Sequence, residues 1–255
     1  MFWIKDFKGH SGCKVQLFFH NEKYIVKKTG SSKLKNSAEI LLSLKSKGFN
    51  TPEIYQFNDT EIHMQYLNGV DMKSYIQNST HEDIEKLISF LDSYIEYFCR
   101  GKKEVIISKI IYKLKDIEEK TDLSQLNFFT DDLIEKLPSV VTVGDIHGDF
   151  TLENILFYKD QFYLIDANPT DINSVEFDAN KLRQDLDCLW FVRNQNNNLT
   201  YKIVCDKISN HLKNKWEFMR NDYILIFMLI RILPYCSDEF TKQFLITEIN
   251  KLWQL

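Results

Sequence analysis

Apolar residues change their period once along this 255-residue chain, near Gly69, and that single change limits the possible folds more than any other feature. Before it they come in short alternating runs, the pattern of half-buried strands. After it they recur every three to four positions, the pattern of helices packed through one face. Strands are expected over 2–8, 13–19 and 24–28, with turns at Gly9 to Gly12 and at His20 to Lys23. A helix is expected over 31–47, carrying Leu34, Ala38, Leu41, Leu42 and Leu44 on one side, and Gly48 stops it where a left-handed cap is needed. A hairpin follows, 54–57 against 61–67. Beyond Gly69, helices are expected over 83–97, 105–120, 128–137, 178–193, 200–213, 222–233 and 239–253. They are interrupted by a short β-branched strand at 139–143 and a hairpin of 155–158 with 161–165. The class is α+β: a β-rich lobe over 1–67 with five strands and one helix, then a helical lobe over 68–255, with a ligand-binding cleft at the joint.

Composition excludes several roles. Net charge is −4 and the isoelectric point is about 5.9, which argues against a nucleic-acid-binding face. The most apolar stretch, 223–233, is too short to span a bilayer and contains Arg231, so no membrane insertion is expected. The start of the chain has no basic region followed by an apolar run, and the five cysteines are widely spaced with no CxxC pair. Reduced thiols and a cytoplasmic location are the expectation. Oligomeric state is left open.

The chemistry concentrates in Val141-Thr-Val-Gly-Asp-Ile-His147-Gly-Asp149-Phe-Thr-Leu-Glu-Asn154 and Phe162-Tyr-Leu-Ile-Asp166. Asp149 lies on a loop after an apolar strand, Asn154 follows five positions later, and Asp166 ends the hairpin that folds back beside them. Two oxygen donors, Asn154 and Asp166, suit Mg²⁺, which keeps waters and substrate phosphates as its other ligands. Asp149 is then left to accept a proton from a hydroxyl. A base, an amide ligand and an acidic ligand are the parts that phosphoryl transfer uses.

His147-Gly-Asp149 with Asn154, followed by Leu164-Ile-Asp166, resembles the catalytic loop and metal-binding segment of aminoglycoside phosphotransferases, choline kinases and related small-molecule kinases. The resemblance spans about residues 9–190 and implies a bilobal protein-kinase-like fold and ATP with Mg²⁺ as cofactors. It also implies transfer of the γ-phosphate to the hydroxyl of a small molecule: a sugar or glycan precursor, an amino alcohol or an aminoglycoside. Tyr24-Ile-Val-Lys27 looks like the family's third strand, so Lys27 is expected on the nucleotide phosphates with Glu39 as its ion-pair partner; Lys28 is the competing assignment. Gly9 and Gly12 fit a short phosphate-covering turn. Met64-Gln65-Tyr-Leu67-Asn-Gly69 resembles the family's hinge, with the backbones of Gln65 and Leu67 facing adenine. Asp178 looks like the acid that braces the catalytic loop, and His147 is read as a structural residue. Asp185 and Asp187 read either as a solvated helix face or as substrate-side acids; with Asp171 and Glu176 they could face a cationic acceptor. Where the family has Phe-Gly or Trp-Glu after the metal-binding Asp, this chain has Ala167-Asn.

The sequence is open to three other readings. A non-catalytic nucleotide-binding module would keep the fold and lose turnover. A protein kinase would need an Ala-Pro-Glu segment and a long activation loop, and neither is present in the sequence. Gly144-Asp-Ile-His-Gly148 also resembles a metallophosphatase motif, but the further metal-binding motifs of those enzymes do not follow.

Overall fold

The computed structural model describes residues 1–7, 13–195 and 198–254. Its first strands are β1 (Phe2–Phe7), β2 (Lys14–His20) and β3 (Lys23–Thr29), followed by helix α1 (Leu34–Ser46) and the hairpin β4 (Ile54–Phe57) and β5 (Glu61–Gln65). These five strands form one antiparallel sheet in the order β1-β2-β3-β5-β4. Asn21 and Glu22 take left-handed φ of 46° and 61°, the two-residue turn whose twist suits a tight β2–β3 hairpin. Gly48 has φ +92° just past α1, the conformation that ends a helix through a left-handed residue. Leu34 and Ala38 of α1 pack with Ile62 of β5 and Cys13, which closes the small core of this sheet.

The chain continues through β6 (Val70–Asp71), α2 (Met72–Asn78), α3 (His81–Phe98), β7 (Lys102–Val105), α4 (Ile107–Lys120), α5 (Thr130–Lys136) and β8 (Val140–Val143). The hairpin β9 (Ile155–Tyr158) and β10 (Gln161–Leu164) comes next. Helices α6 (Val175–Cys188), α7 (Leu199–Lys215), α8 (Asp222–Ile230) and α9 (Glu239–Trp253) complete it. Short 3-10 turns at Leu152–Asn154, Trp190–Val192, Glu217–Arg220 and Leu233–Tyr235 join some of these. Backbone contacts divide the chain into two compact units: residues 1–78 with 145–170, and residues 79–144 with 171–255. The lobe boundary expected at 67/68 is a cut in sequence; the contacts in space group residues 145–170 with the first unit. The cause is pairing: β6 joins β9 in the sheet β10-β9-β6, and the Leu164 N–H donates to the Asn50 carbonyl at 2.9 Å. Tyr75 of α2 then packs its ring against Phe157 and Phe162 of that hairpin.

The second unit is built on its helices. In α3, Ile84, Leu87, Ile88, Leu91, Ile95 and Phe98 are buried at helical spacing, and Thr80 with Asp83 forms a reciprocal capping box at its start. Helix α8, Asp-Tyr-Ile-Leu-Ile-Phe-Met-Leu-Ile, is buried almost all round, and the core of this unit gathers on it.

The expected elements are present, with ends shifted by a few residues. Three were not expected. β6 has only two residues. β7 reads Lys-Lys-Glu-Val, is exposed throughout and exists by pairing with β8. α2 carried a legible signal: the Asp71 carboxylate accepts the Ser74 N–H at 2.8 Å, and Met72, Tyr75 and Ile76 are buried at helical spacing.

Candidate active site

Every residue proposed for the chemistry, among those described, lies in the first unit. His147 anchors the loop from within. It is fully buried, its Nε2 lies 2.8 Å from the Ile165 carbonyl, and its Nδ1 lies 3.3 Å from the Asp149 N–H. That pairing corresponds to the tautomer with the proton on Nε2, so the ring is held as a strut between the loop and the end of the β9–β10 hairpin. Gly148 has φ +76°, and a Cβ placed there would stand 1.9 Å from the Asn168 carbonyl oxygen. The Asn168 N–H donates to the His147 carbonyl at 3.0 Å, so this close approach is fixed in place. Only glycine satisfies both the conformation and the space.

Asp149 and Asn154 are joined directly. The Asn154 amide nitrogen donates to the Asp149 carbonyl at 2.8 Å and to its carboxylate Oδ2 at 2.9 Å. The Asn154 Oδ1 makes no hydrogen bond among the described residues. Its backbone carbonyl accepts the Ile165 N–H at 3.0 Å, which sets Asp166 one residue beyond. Asp166 itself is left-handed, with φ +56°, a conformation aspartate tolerates better than most residues. One of its oxygens, Oδ1, pairs with the Lys28 ammonium; the other is without a hydrogen bond among the described residues.

Lys28 is where the structure departs most from expectation. Along β3, Lys28 faces the same side as Ile62 and Val15, while Lys27 sits opposite His63 on the other side. Lys27 pairs with Glu61 at 2.7 Å, and that hydrogen bond holds the Glu61 carboxyl below its ordinary range. Burial lowers His63 beside them, with the Glu61 charge opposing. The expected Lys27–Glu39 ion pair does not form: Glu39 is exposed and has no ion pair among the described residues. A one-residue shift along a strand exchanges faces, and sequence alternation alone left that register open. Lys28 is only 7% exposed, and a buried ammonium needs a counter-charge, which Asp166 supplies.

Gln65 donates its N–H to the Glu53 carbonyl at 2.8 Å, and Leu67 is buried with no backbone hydrogen bond among the described residues. Gly9 and Gly12 lie outside the described residues. No group of three or more His, Cys, Asp or Glu side chains converges as a metal cluster among the described residues. A magnesium ion requires fewer, because it is bound through one or two protein oxygens with substrate phosphates and water. The Asn154 Oδ1 and the second Asp166 oxygen fit that requirement.

No protein-family model and no curated protein sequence matches the chain. Solved structures do. The apo form of a thermostable mutant of aminoglycoside phosphotransferase APH(4)-Ia superposes with a TM-score of 0.70 at 11% identity, over 98% of this chain and 93% of that one. The fold is that of the aminoglycoside phosphotransferases. A further-substituted form of a thermostable mutant of that enzyme, in a ternary complex with ADP and hygromycin B, superposes with a TM-score of 0.69 at 11% identity, over 98% of this chain and 92% of that one. A protein provisionally named a fructosamine-3-kinase, from Haemophilus somnus 129PT, shares the architecture at a TM-score of 0.63 and 12% identity, over 97% of this chain and 92% of that one.

Within this aminoglycoside-phosphotransferase fold, the acids once considered for a cationic acceptor are mostly engaged in the second unit. Asp187 accepts from Arg183 at 2.7 Å, Lys213 at 2.9 Å and Ser209 at 2.5 Å. Glu176 accepts the Thr142 N–H at 2.9 Å and the Ser174 hydroxyl at 2.7 Å. Asp185 is fully buried and Asp171 is exposed. Asp178, expected as a bracing acid and not as an acceptor ligand, accepts from the Tyr94 hydroxyl at 2.6 Å. The phosphatase-like motif does not assemble as a metal site: His147 is spent on Ile165, and Asp145 faces solvent in an ion pair with Lys47 at 3.1 Å.

Proposed function

We propose that this protein transfers the terminal phosphate of ATP to a hydroxyl group of a small molecule. The observation that carries the reading is the joined set Asp149–Asn154 and Lys28–Asp166. It comprises two carboxylates, an amide and an ammonium, held by one backbone network around His147 and Ile165. In this reading Asp149 orients the acceptor hydroxyl and takes its proton as the acceptor oxygen forms the new P–O bond. The bond from the γ-phosphorus to its bridging oxygen breaks, and ADP leaves with the electron pair. The Asn154 hydrogen bond fixes the Asp149 carboxylate so that it needs little reorganisation. The Asn154 Oδ1 and Asp166 would hold Mg²⁺, which would neutralise phosphate charge when bound. Lys28, in place of Lys27, is the nucleotide lysine, because it lies beside Asp166 while Lys27 is committed to Glu61 on the other face. The Leu67 backbone, without a hydrogen bond among the described residues, is suited to the adenine edge, with Gln65 before it.

The acceptor is read as an uncharged, sugar-like hydroxyl compound ahead of a polycation, since Asp187 and Glu176 are already neutralised or capped internally. The experiment is ADP release from Mg-ATP over a panel of sugars, amino alcohols and aminoglycosides, with Asp149→Asn as the control. Acceptor-stimulated release that Asp149→Asn lowers at least ~10³-fold, with ATP affinity retained, supports the proposal. ATP binding with no turnover on any acceptor favours the non-catalytic module, and no ATP binding overturns the nucleotide roles of Lys28 and Asp166.

A further inference from the structure

Lys28 and the divalent cation make claims on the same carboxylate. Helix α1, which follows the lysine-bearing strand, offers Lys28 no acid of its own: its inward positions are Leu34, Ser37, Ala38 and Leu41, and its single carboxylate, Glu39, is exposed. The Ser37 hydroxyl is spent on the Lys33 carbonyl at 3.1 Å. The buried ammonium therefore rests on Asp166. Asp166 cannot readily withdraw. Its neighbour Ile165 is tied to Asn154 through its N–H and to His147 through its carbonyl, and Asn168 is tied back to His147. An ammonium and a divalent ion on one carboxylate repel each other at close range, and partial burial of Lys28 strengthens that repulsion.

We propose that Asp166 positions Lys28 in the nucleotide-free protein and that this ion pair excludes the divalent cation until nucleotide phosphates draw the ammonium away. The inference rests on the nucleotide role given above to Lys28 and Asp166. Metal and nucleotide then bind with positive coupling: each removes an obstacle to the other, and the coupling passes through one ammonium. A lysine held by a helix acid would leave the metal carboxylate vacant and would give no such linkage.

The test uses Mn²⁺ as the probe, with its affinity for the full-length protein read by the EPR signal of the free ion. Wild type, Lys28→Met, Lys28→Gln, Lys27→Met and Lys28→Met/Asp166→Asn are compared, each checked for a native circular-dichroism spectrum. Without nucleotide, Lys28→Met and Lys28→Gln are expected to bind Mn²⁺ at least ~10-fold more tightly than wild type, because a competing charge has gone. Lys27→Met should match wild type, and adding Asp166→Asn should remove the gain. In wild type, AMP-PNP should tighten Mn²⁺ binding, and by a smaller factor in Lys28→Met. Unchanged or weaker Mn²⁺ binding in both folded Lys28 variants overturns the proposal, as does a gain that survives Asp166→Asn. Failure of the nucleotide reading is separately visible: wild type would then bind no AMP-PNP, while the nucleotide-free Mn²⁺ comparison would still report on the Lys28–Asp166 competition.

Discussion

At the level of single residues, two adjacent lysines on one strand have opposite fates. Lys27 joins Glu61 and His63 on one face of the sheet, and Lys28 joins Asp166 on the other. Lys28→Met is expected to raise the KM for ATP at least ~10-fold, whereas Lys27→Met, which removes a partly exposed ion pair, should leave it within about twofold. Steady-state kinetics on the acceptor found in the panel separates the two. Gly148→Ala makes a different demand. Its Cβ would meet the Asn168 oxygen at 1.9 Å in a backbone region that alanine avoids. The substitution should cost at least about 2 kcal/mol, read as a lower urea midpoint, and should displace Asp149 next to it. The grouping of Asp149, Asn154 and Asp166 was legible in the sequence, because the motif spacing puts the first two on one loop and the third at the end of the hairpin that folds back beside it. Which of Lys27 and Lys28 meets Asp166 was not, because both sit at the end of the same apolar run and only the pairing of β3 with β5 assigns faces.

Among the elements, α6 carries the densest set of buried polar side chains. Arg183 is fully buried; it bonds Asp187 at 2.7 Å, Asn180 at 3.0 Å and the Asn221 carbonyl at 3.0 Å, and it pairs with Asp222. Arg183→Met strands these acceptors and should destabilise the protein by about 3–5 kcal/mol in chemical denaturation, far more than loss of an exposed pair such as Arg100–Glu96. From sequence this helix read as amphipathic with a solvated or substrate-facing Asp185–Asp187 pair. Burial of charge depends on partners supplied from α7 and from the residues just before and at the start of α8, which no local pattern encodes. The reverse case is β7, whose Lys-Lys-Glu-Val reads as loop and becomes a strand through its register with β8.

For the molecule as a whole, the balance of buried charge predicts an acid limit to stability. Burial raises the Asp187 carboxyl, but Arg183, Lys213 and Ser209 together outweigh it and hold it below the ordinary carboxylate value of 3.8. A depressed folded-state pKa gives stability that is complete above the unfolded value and is lost as pH falls through the folded one. Urea midpoints should therefore fall below about pH 4, and Asp187→Asn should flatten that part of the profile. Thiol chemistry gives a second check. Burial pushes Cys99 up to about 11 and raises Cys188 and Cys205 further, so these three should resist a thiolate-selective reagent at pH 8 until the protein is unfolded. The sequence by itself determined the class of fold and the grouping of Asp149, Asn154 and Asp166, because hydrophobic period and motif spacing are local properties that survive in a one-dimensional string. Only the tertiary structure decided that 145–170 packs with the first 78 residues, that Lys28 rather than Lys27 reaches Asp166, and that the acids of α6 are spent internally. Each of these depends on strand register or on a partner distant in sequence, and burial makes a misplaced charge costly enough to select one arrangement.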